Sequence, residues 1–281
     1  MKIQSFFDIQ TSTFTYIVFD ETKEGVVIDP VLNFDIKSGK ITKNSFYEIV
    51  DFIKKNDLKI KYILETHAHA DHLTSAKYLK KEVNGLIGIG KNINKVQDIF
   101  ANIFNLKNFH DINYFDLYLN DTEVLSVGNF NIEVIALPGH TPACIGFKIE
   151  DNIFVGDTIF MPDVGSARCD FPGGSAEMLY ESVQKIFAYN DDTKLFMCHD
   201  YPTTREVMFQ TTVGEQKQKN IHLNTKINKE SFIKIRNERD KILSVPQLIY
   251  PSLQVNIRAG ELPQSEDNGM IYFKTPIQLS E

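Results

Sequence analysis

Alternating or β-branched-rich apolar patterns recur along the chain and predict strands over residues 13–19, 25–28, 61–65, 86–89, 130–137, 144–149, 152–155 and 194–197. Between them the apolar spacing changes to three and four. Over 45–55 it gathers Phe46, Ile49, Val50 and Ile53 on one helical face, and 74–83, 93–104 and 178–189 read the same way. Turn residues at Glu150-Asp151-Asn152 and Gly128-Asn129 join neighbouring strands. Strands and helices are therefore mixed, with hairpins as well as crossovers. The expected architecture is an α/β fold of two mixed sheets packed face to face and covered by helices, a four-layer αββα sandwich.

After Tyr201 the pattern shifts to a polar, Lys- and Asn-rich stretch. A charged helix is expected near 229–242, followed by an extended tail containing Pro246, Pro251, Pro263 and Pro276. Residues 1–200 are thus read as the core and 201–281 as a C-terminal elaboration packed on it. No internal repeat or low-complexity tract interrupts this division.

At 281 residues the chain can bury a sizeable core. With 42% hydrophobic and 24% charged residues it has the composition of an ordinary globular protein. A net charge of −7 argues against nucleic acid as a partner, because that affinity comes largely from Lys and Arg neutralising phosphates. The N-terminal Met1-Lys2-Ile3-Gln4-Ser5 runs straight into a strand-like segment without an apolar signal region, and no apolar run is long enough to span a bilayer. Cys144, Cys169 and Cys198 are too few and too odd a set for a disulfide framework, so a cytoplasmic protein without a membrane partner is expected.

The strongest chemical signal is Thr66-His67-Ala68-His69-Ala70-Asp71-His72, at the end of the 61–65 strand. Imidazole and carboxylate suit zinc and iron, and a strand-to-helix loop can turn several of them toward one point. Pro138-Gly139-His140-Thr141-Pro142, Gly156-Asp157-Thr158 and Cys198-His199-Asp200-Tyr201 each end a further strand. A lone His or Asp at a strand end is usually structural. Four strand ends with the same ligand chemistry predict one metal site built from His67, His69, Asp71, His72, His140, Asp157 and His199.

With its His-x-His-x-Asp-His loop and later His, Asp and His, the chain resembles the metallo-β-lactamase superfamily. Within it, the chain resembles the glutathione-dependent persulfide dioxygenases, relatives of glyoxalase II. That narrower resemblance rests on Asp29-Pro30-Val31, on Pro138 to Cys144, and on Arg168-Cys169-Asp170-Phe171 after Gly156-Asp157-Thr158. The run from Gly156 to Gly174 and the tail from Pro251 to Gly260 are also similar to the bacterial β-lactamase-like hydrolases of that group.

The resemblance implies a single Fe(II) held by His67, His140 and Asp157, a two-histidine, one-carboxylate triad with open positions. The implied reaction oxidises glutathione persulfide with O2 and water to sulfite and glutathione, a sulfide-detoxifying step, in a homo-oligomer (dimer or tetramer). Arg168 and Tyr201, carried over from the family motifs, are the expected glutathione contacts, since a guanidinium pairs with a carboxylate in bidentate geometry. The alternative for Arg168 is a salt bridge to Asp170 or Asp163 that shapes the loop. Ser166 stands where some relatives carry a cysteine, so a mechanism relying on a cysteine at that position does not transfer.

His69, Asp71, His72 and His199 have two possible roles: they support a mononuclear centre from behind, or they complete a dinuclear one. The second role belongs to a glyoxalase II-like thioester hydrolase (hydroxyacylglutathione hydrolase), in which zinc is possible and the metals activate a water. A non-catalytic persulfide or metal sensor is the reading from another class, and the complete ligand set speaks against it. Cys144 and Cys198 are expected as small buried thiols behind the metal loop. His110 is expected in a surface loop, His222 near the cavity without being a ligand, and Arg258 in packing or anion binding.

Overall fold

The structure is a computed structural model that describes residues 1–107, 109–277 and 279. The first half of the chain forms β1 (Lys2–Asp8), β2 (Thr13–Phe19), β3 (Glu24–Ile28), β4 (Val31–Asp35), β5 (Lys40–Thr42), α1 (Asn44–Lys55), β6 (Lys59–Leu64), β7 (Leu73–Thr74), α2 (Ala76–Val83), β8 (Leu86–Gly90) and α3 (Ile93–Ile103). The second half forms β9 (Leu117–Leu119), β10 (Val124–Val127), β11 (Phe130–Ala136), β12 (Ile145–Ile149), β13 (Asn152–Phe154), α4 (Ala176–Phe187), β14 (Lys194–Phe196), β15 (Gln210–Thr212), α5 (Val213–Lys219), α6 (Lys229–Asp240) and α7 (Ile249–Asn256).

The first sheet has the order β1-β2-β3-β6-β8-β9, antiparallel at its start and parallel from β3 onward. The second has the order β10-β11-β12-β13-β14-β15, antiparallel except between β13 and β14. A small third sheet, β5-β4-β7, flanks the metal-loop motif.

Strand periodicity explains the layers. Along β2 and β3, Tyr16, Val18, Val26 and Ile28 face the second sheet and pack with Val127, Ile132, Val134, Phe147 and Phe154. Their neighbours Ile17, Phe19 and Val27 face the opposite way, onto Phe46, Ile49, Val50 and Ile53 of α1 and the apolar stripes of α2 and α3. On the far side, Ile135, Leu137, Ile153 and Leu195 meet Leu179, Val183 and Ile186 of α4. Strands buried on both faces read as apolar runs, as β2 does with every residue buried. The result is the four-layer αββα sandwich expected from the sequence.

The tail departs from the expected extended chain. Beyond residue 242 it forms α7, with Pro251 in the first turn, where a missing N–H costs no intrahelical hydrogen bond. Val255 of α7 packs on Leu32 and Leu73, and Leu253, Ile257 and Ala259 join the outer core over α3. The edge strand of the second sheet, β15, also comes from beyond residue 200, pairing with β14. Among the described residues, no helix is long and apolar enough to cross a membrane.

Candidate metal centre

The C-terminal ends of β6, β11, β13 and β14 lie along one rim, and each is followed by a loop that carries ligand-type side chains. After β11 the chain must turn sharply against α4. Gly139 adopts φ +147, and a Cβ there would stand 2.4 Å from the backbone of Leu179. That close approach lets Ser175 N–H donate to Gly139 O at 2.8 Å and brings His140 over the rim.

The seven residues named from the sequence converge. His67, His140 and Asp157 form one compact group of donor atoms, and His69, Asp71, His72 and His199 form a second. Asp157 lies between them. Its Oδ2 is 3.8 Å from both His67 Nε2 and His140 Nε2, and its Oδ1 is 3.3 Å from His199 Nε2, which itself lies 3.4 Å from Asp71 Oδ2. Two donors each about 2.1 Å from one ion at a tetrahedral angle stand roughly 3.4 Å apart, so these separations suit shared coordination.

Each imidazole is oriented by a partner on its far side, which leaves one nitrogen facing the centre. His140 Nδ1 donates to Arg168 O at 2.7 Å, and His199 Nδ1 donates to Ser12 O at 3.2 Å. His69 Nε2 faces Asp29 Oδ1 at 3.1 Å. Thr66 donates from N and Oγ1 to the Asp29 carboxylate at 2.7 and 2.9 Å, which leaves its hydroxyl to accept from His67 Nδ1 at 3.0 Å. His72 Nδ1 lies 3.4 Å from Thr13 Oγ1. These partners assign the tautomers.

The opposite atoms have no partner. His67 Nε2, His69 Nδ1, His72 Nε2, His199 Nε2, Asp71 Oδ2 and Asp157 Oδ1 are all buried and unsatisfied. An orphaned buried polar atom costs about 1–3 kcal/mol, and six turned toward adjoining points fit one or two bound cations. Burial holds His67 and His69 well below the usual imidazole range, so both present neutral lone pairs. Burial works against ionisation of Asp71, but His199 and His72 outweigh it and keep that carboxyl well below its usual value. Burial raises Asp157, against the pull of His199 and His140.

A cavity of about 310 Å³ opens onto this centre and reaches His140, Asp157 and Asp71. Its apolar lining includes Phe160, Val164, Phe171, Leu243 and Pro246, and the rings of Phe171 and Phe160 stand 5.2 Å from His140 and 6.2 Å from His199. Tyr201 lines it too, its ring stacked on His199 at 5.8 Å and 14°. Arg168 also faces the cavity, with its guanidinium engaged. Nε and Nη2 donate to Asp170 at 2.7 Å each, and Nη1 donates to Ser244 O at 2.7 Å. Asp163 pairs instead with Arg205, which also clamps the buried Asp200 next to His199.

Ser166 and His222 meet behind this wall. Ser166 N–H donates to His222 Nδ1 at 3.1 Å, so His222 supports the loop and is no ligand. Gly165 has φ +100, and a Cβ there would reach within 2.2 Å of that ring. His110 is an exposed side chain facing Asp98. Arg258 packs over Phe109 and donates to Gln254 O. All three cysteines are free and buried, and burial pushes their thiols upward, Cys144 to about 12.

Several residues of the site carry no sequence signal as functional groups. Buried Arg236 bonds Asp240 at 2.7 Å and donates to Ser166 O at 2.9 Å, joining α6 to the cavity wall. Thr13 and Asn256 hold the ligand loops through hydrogen bonds to His72 across 59 and 184 residues of sequence. Only their contacts reveal them, since Thr and Asn are common in any loop.

Comparison with known proteins agrees with this geometry. Residues 9–199 match the family model described as the metallo-beta-lactamase superfamily. The chain is 46% identical over 282 residues to glyoxylase B2 of Dictyostelium discoideum, covering 98% of this chain and 97% of that protein. It is 30% identical over 262 residues to the mitochondrial persulfide dioxygenase ETHE1 of Homo sapiens, covering 92% of this chain and 88% of that one. The fold superposes on the crystal structure of ETHE1 from Myxococcus xanthus with a TM-score of 0.76, at 26% identity over 93% of this chain and 100% of the other. With its ligand set assembled on one rim of an αββα sandwich, the chain belongs to the metallo-beta-lactamase superfamily, and its centre is a metal site.

Proposed function

We propose that the protein is a persulfide dioxygenase that uses one Fe(II) held by His67, His140 and Asp157. The overall reaction converts glutathione persulfide, O2 and water into glutathione, sulfite and two protons, with the terminal sulfur oxidised and dioxygen reduced. The observation that carries this reading is the compact two-histidine, one-carboxylate group beside an apolar cavity that reaches His140 and Asp157. The relative of Homo sapiens named persulfide dioxygenase supports it.

When bound, ferrous iron supplies the redox chemistry toward dioxygen. The chain's own residues do the placing. Arg168 O and Thr66 Oγ1 fix the rings of His140 and His67, so neither ligand turns when substrate arrives. Phe160 and Phe171, packed against His199 and His140, exclude water from the reacting end, and an apolar wall suits a weakly hydrated sulfur. Tyr201, fixed over His199, and Arg168 are the proposed glutathione contacts. Because Arg168 is committed to Asp170, a glutathione carboxylate must share or displace that pair. Arg239 lines the same cavity and makes no ion pair or side-chain hydrogen bond among the described residues, so it offers a second cation for that carboxylate.

A second reading is favoured by the unpartnered atoms of His69, Asp71, His72 and His199. They offer places for a second metal and a glyoxalase II-like hydrolase of glutathione thioesters, a reading also supported by the 46% identity to glyoxylase B2. Oxygen-electrode traces with glutathione persulfide, set against glutathione release from S-lactoylglutathione, separate the two. Oxygen uptake tracking iron content supports the first reading; thioester hydrolysis without oxygen uptake overturns it.

A further inference from the structure

Asn256 is the last residue of α7, far in sequence from the metal loop, and its side chain is buried directly beneath that loop. Its amide nitrogen donates to His69 O at 2.8 Å and to His72 O at 2.7 Å, while its amide oxygen accepts from Thr74 N at 2.9 Å. Both N–H groups and the carbonyl are thereby used, and the amide has one workable orientation, since a flipped side chain would set oxygen against two carbonyls.

We propose that Asn256 is a positioning residue for the metal centre, fixing the backbone of the 69–72 loop from behind so that His69, Asp71 and His72 hold their ligand geometry. The loop needs such a brace. It runs irregularly between β6 and β7; Ile145 N of β12 donates to Thr66 O, and buried carbonyls further along the loop need partners from other elements. One primary amide spans two carbonyls three residues apart, and the donor atoms of His69, Asp71 and His72 project from the same short stretch.

Asn256 is itself held in place. Val255 packs on Leu32 and Leu73, and Gln97 Nε2 donates to Ile257 O at 2.9 Å. The C-terminal helix therefore belongs to the metal centre as much as the ligand loop does. This inference rests on the metal site alone, and its test is the same whichever reaction the centre carries out.

The experiment uses full-length metal-free protein titrated with Co(II) against a competing chelator, with the visible Co(II) absorption as a report on geometry. Asn256→Asp keeps the size and the bond from Thr74 but turns a carboxylate oxygen toward the two carbonyls. Asn256→Ser retains one donor and serves if the first variant does not fold. Leu253→Ala, which loosens the packing of α7 without touching the amide, is the stability control. The expected result is Co(II) binding weakened about 10- to 100-fold with an altered spectrum in the folded Asn256 variants, while Leu253→Ala lowers the thermal midpoint and leaves affinity and spectrum unchanged. Parental affinity and spectrum in a folded Asn256 variant overturn the proposal, as does an equal loss of affinity in Leu253→Ala.

Discussion

His69 Nε2 lies 3.1 Å from Asp29 Oδ1, across forty residues of sequence and with both side chains buried. The contact turns Nδ1 of His69 toward the metal centre, and the same carboxylate takes two hydrogen bonds from Thr66. Burial raises Asp29 to about 6, while the Thr66 donors pull the other way. A single residue thus orients the backs of two adjacent ligands. Asp29→Ala is expected to weaken metal binding about 10- to 100-fold, with a smaller loss in Asp29→Asn, which suits the left-handed φ of +50 at that position. Chelator competition measures it, and equal affinity in all three proteins would remove Asp29 from this role.

Metal stoichiometry distinguishes the two groups of ligands. In the mononuclear reading, His140→Ala loses bound iron and oxygen uptake, whereas His72→Ala still carries close to one iron per chain. If two metals work together, the parent binds two and His72→Ala drops to one with thioester hydrolysis abolished. Elemental analysis of protein purified with iron and without added zinc gives the count. Full oxygen uptake in an iron-free His140 variant is incompatible with the proposed chemistry.

Arg168 raises a question of competition, because Asp170 already occupies its guanidinium. Arg168→Ala is expected to raise KM for the glutathione substrate roughly tenfold, about the worth of one charge-assisted hydrogen bond. Asp170→Asn weakens the internal pair and is expected to lower KM. Steady-state kinetics of both variants decide the matter. A raised KM in Asp170→Asn would mean that the pair only braces the cavity wall.

His222 links acid sensitivity to the cavity wall. Burial lowers its pKa to about 4, and Arg236 and Arg239 add to the effect. An unfolded histidine takes up its proton near 6.5, so between pH 6.5 and about 4 the unfolded chain binds more protons and stability falls as pH falls. The contribution is complete above pH 6.5. His222→Asn is expected to flatten this decline by at most about 1 kcal/mol per pH unit once solvent screening is allowed for. Thermal midpoints of metal-free parent and variant across the window test it, and parallel curves would exclude His222 as the source.

Long, strongly patterned elements were legible before the structure. The apolar stripe of Phe46, Ile49, Val50 and Ile53 marks α1, while the wholly buried run of β2 and the alternating pattern of β11 mark central strands. The short strands β5 and β15 were not: three positions carry no period, and unlike β13 and β14, whose apolar runs Ile153-Phe154-Val155 and Leu195-Phe196-Met197 stand out, they lack a continuous apolar run. The helix α7 was hidden by its proline: Pro251 reads as a breaker, but it stands in the first turn of a helix that begins at Ile249.

The identity and strand-end position of His67, His69, Asp71, His72, His140, Asp157 and His199 were determined by sequence alone, because ligand chemistry and the strand-to-loop transition are both local properties. Tertiary structure decided which nitrogen each imidazole presents, since that depends on Asp29, Ser12, Thr66 and Arg168, brought near by folding rather than by spacing. It likewise committed Arg168 to Asp170 and set Asn256 beneath the ligand loop. A hydrogen bond acts over about 3 Å, and no periodicity along a chain encodes which distant partner will stand within that distance.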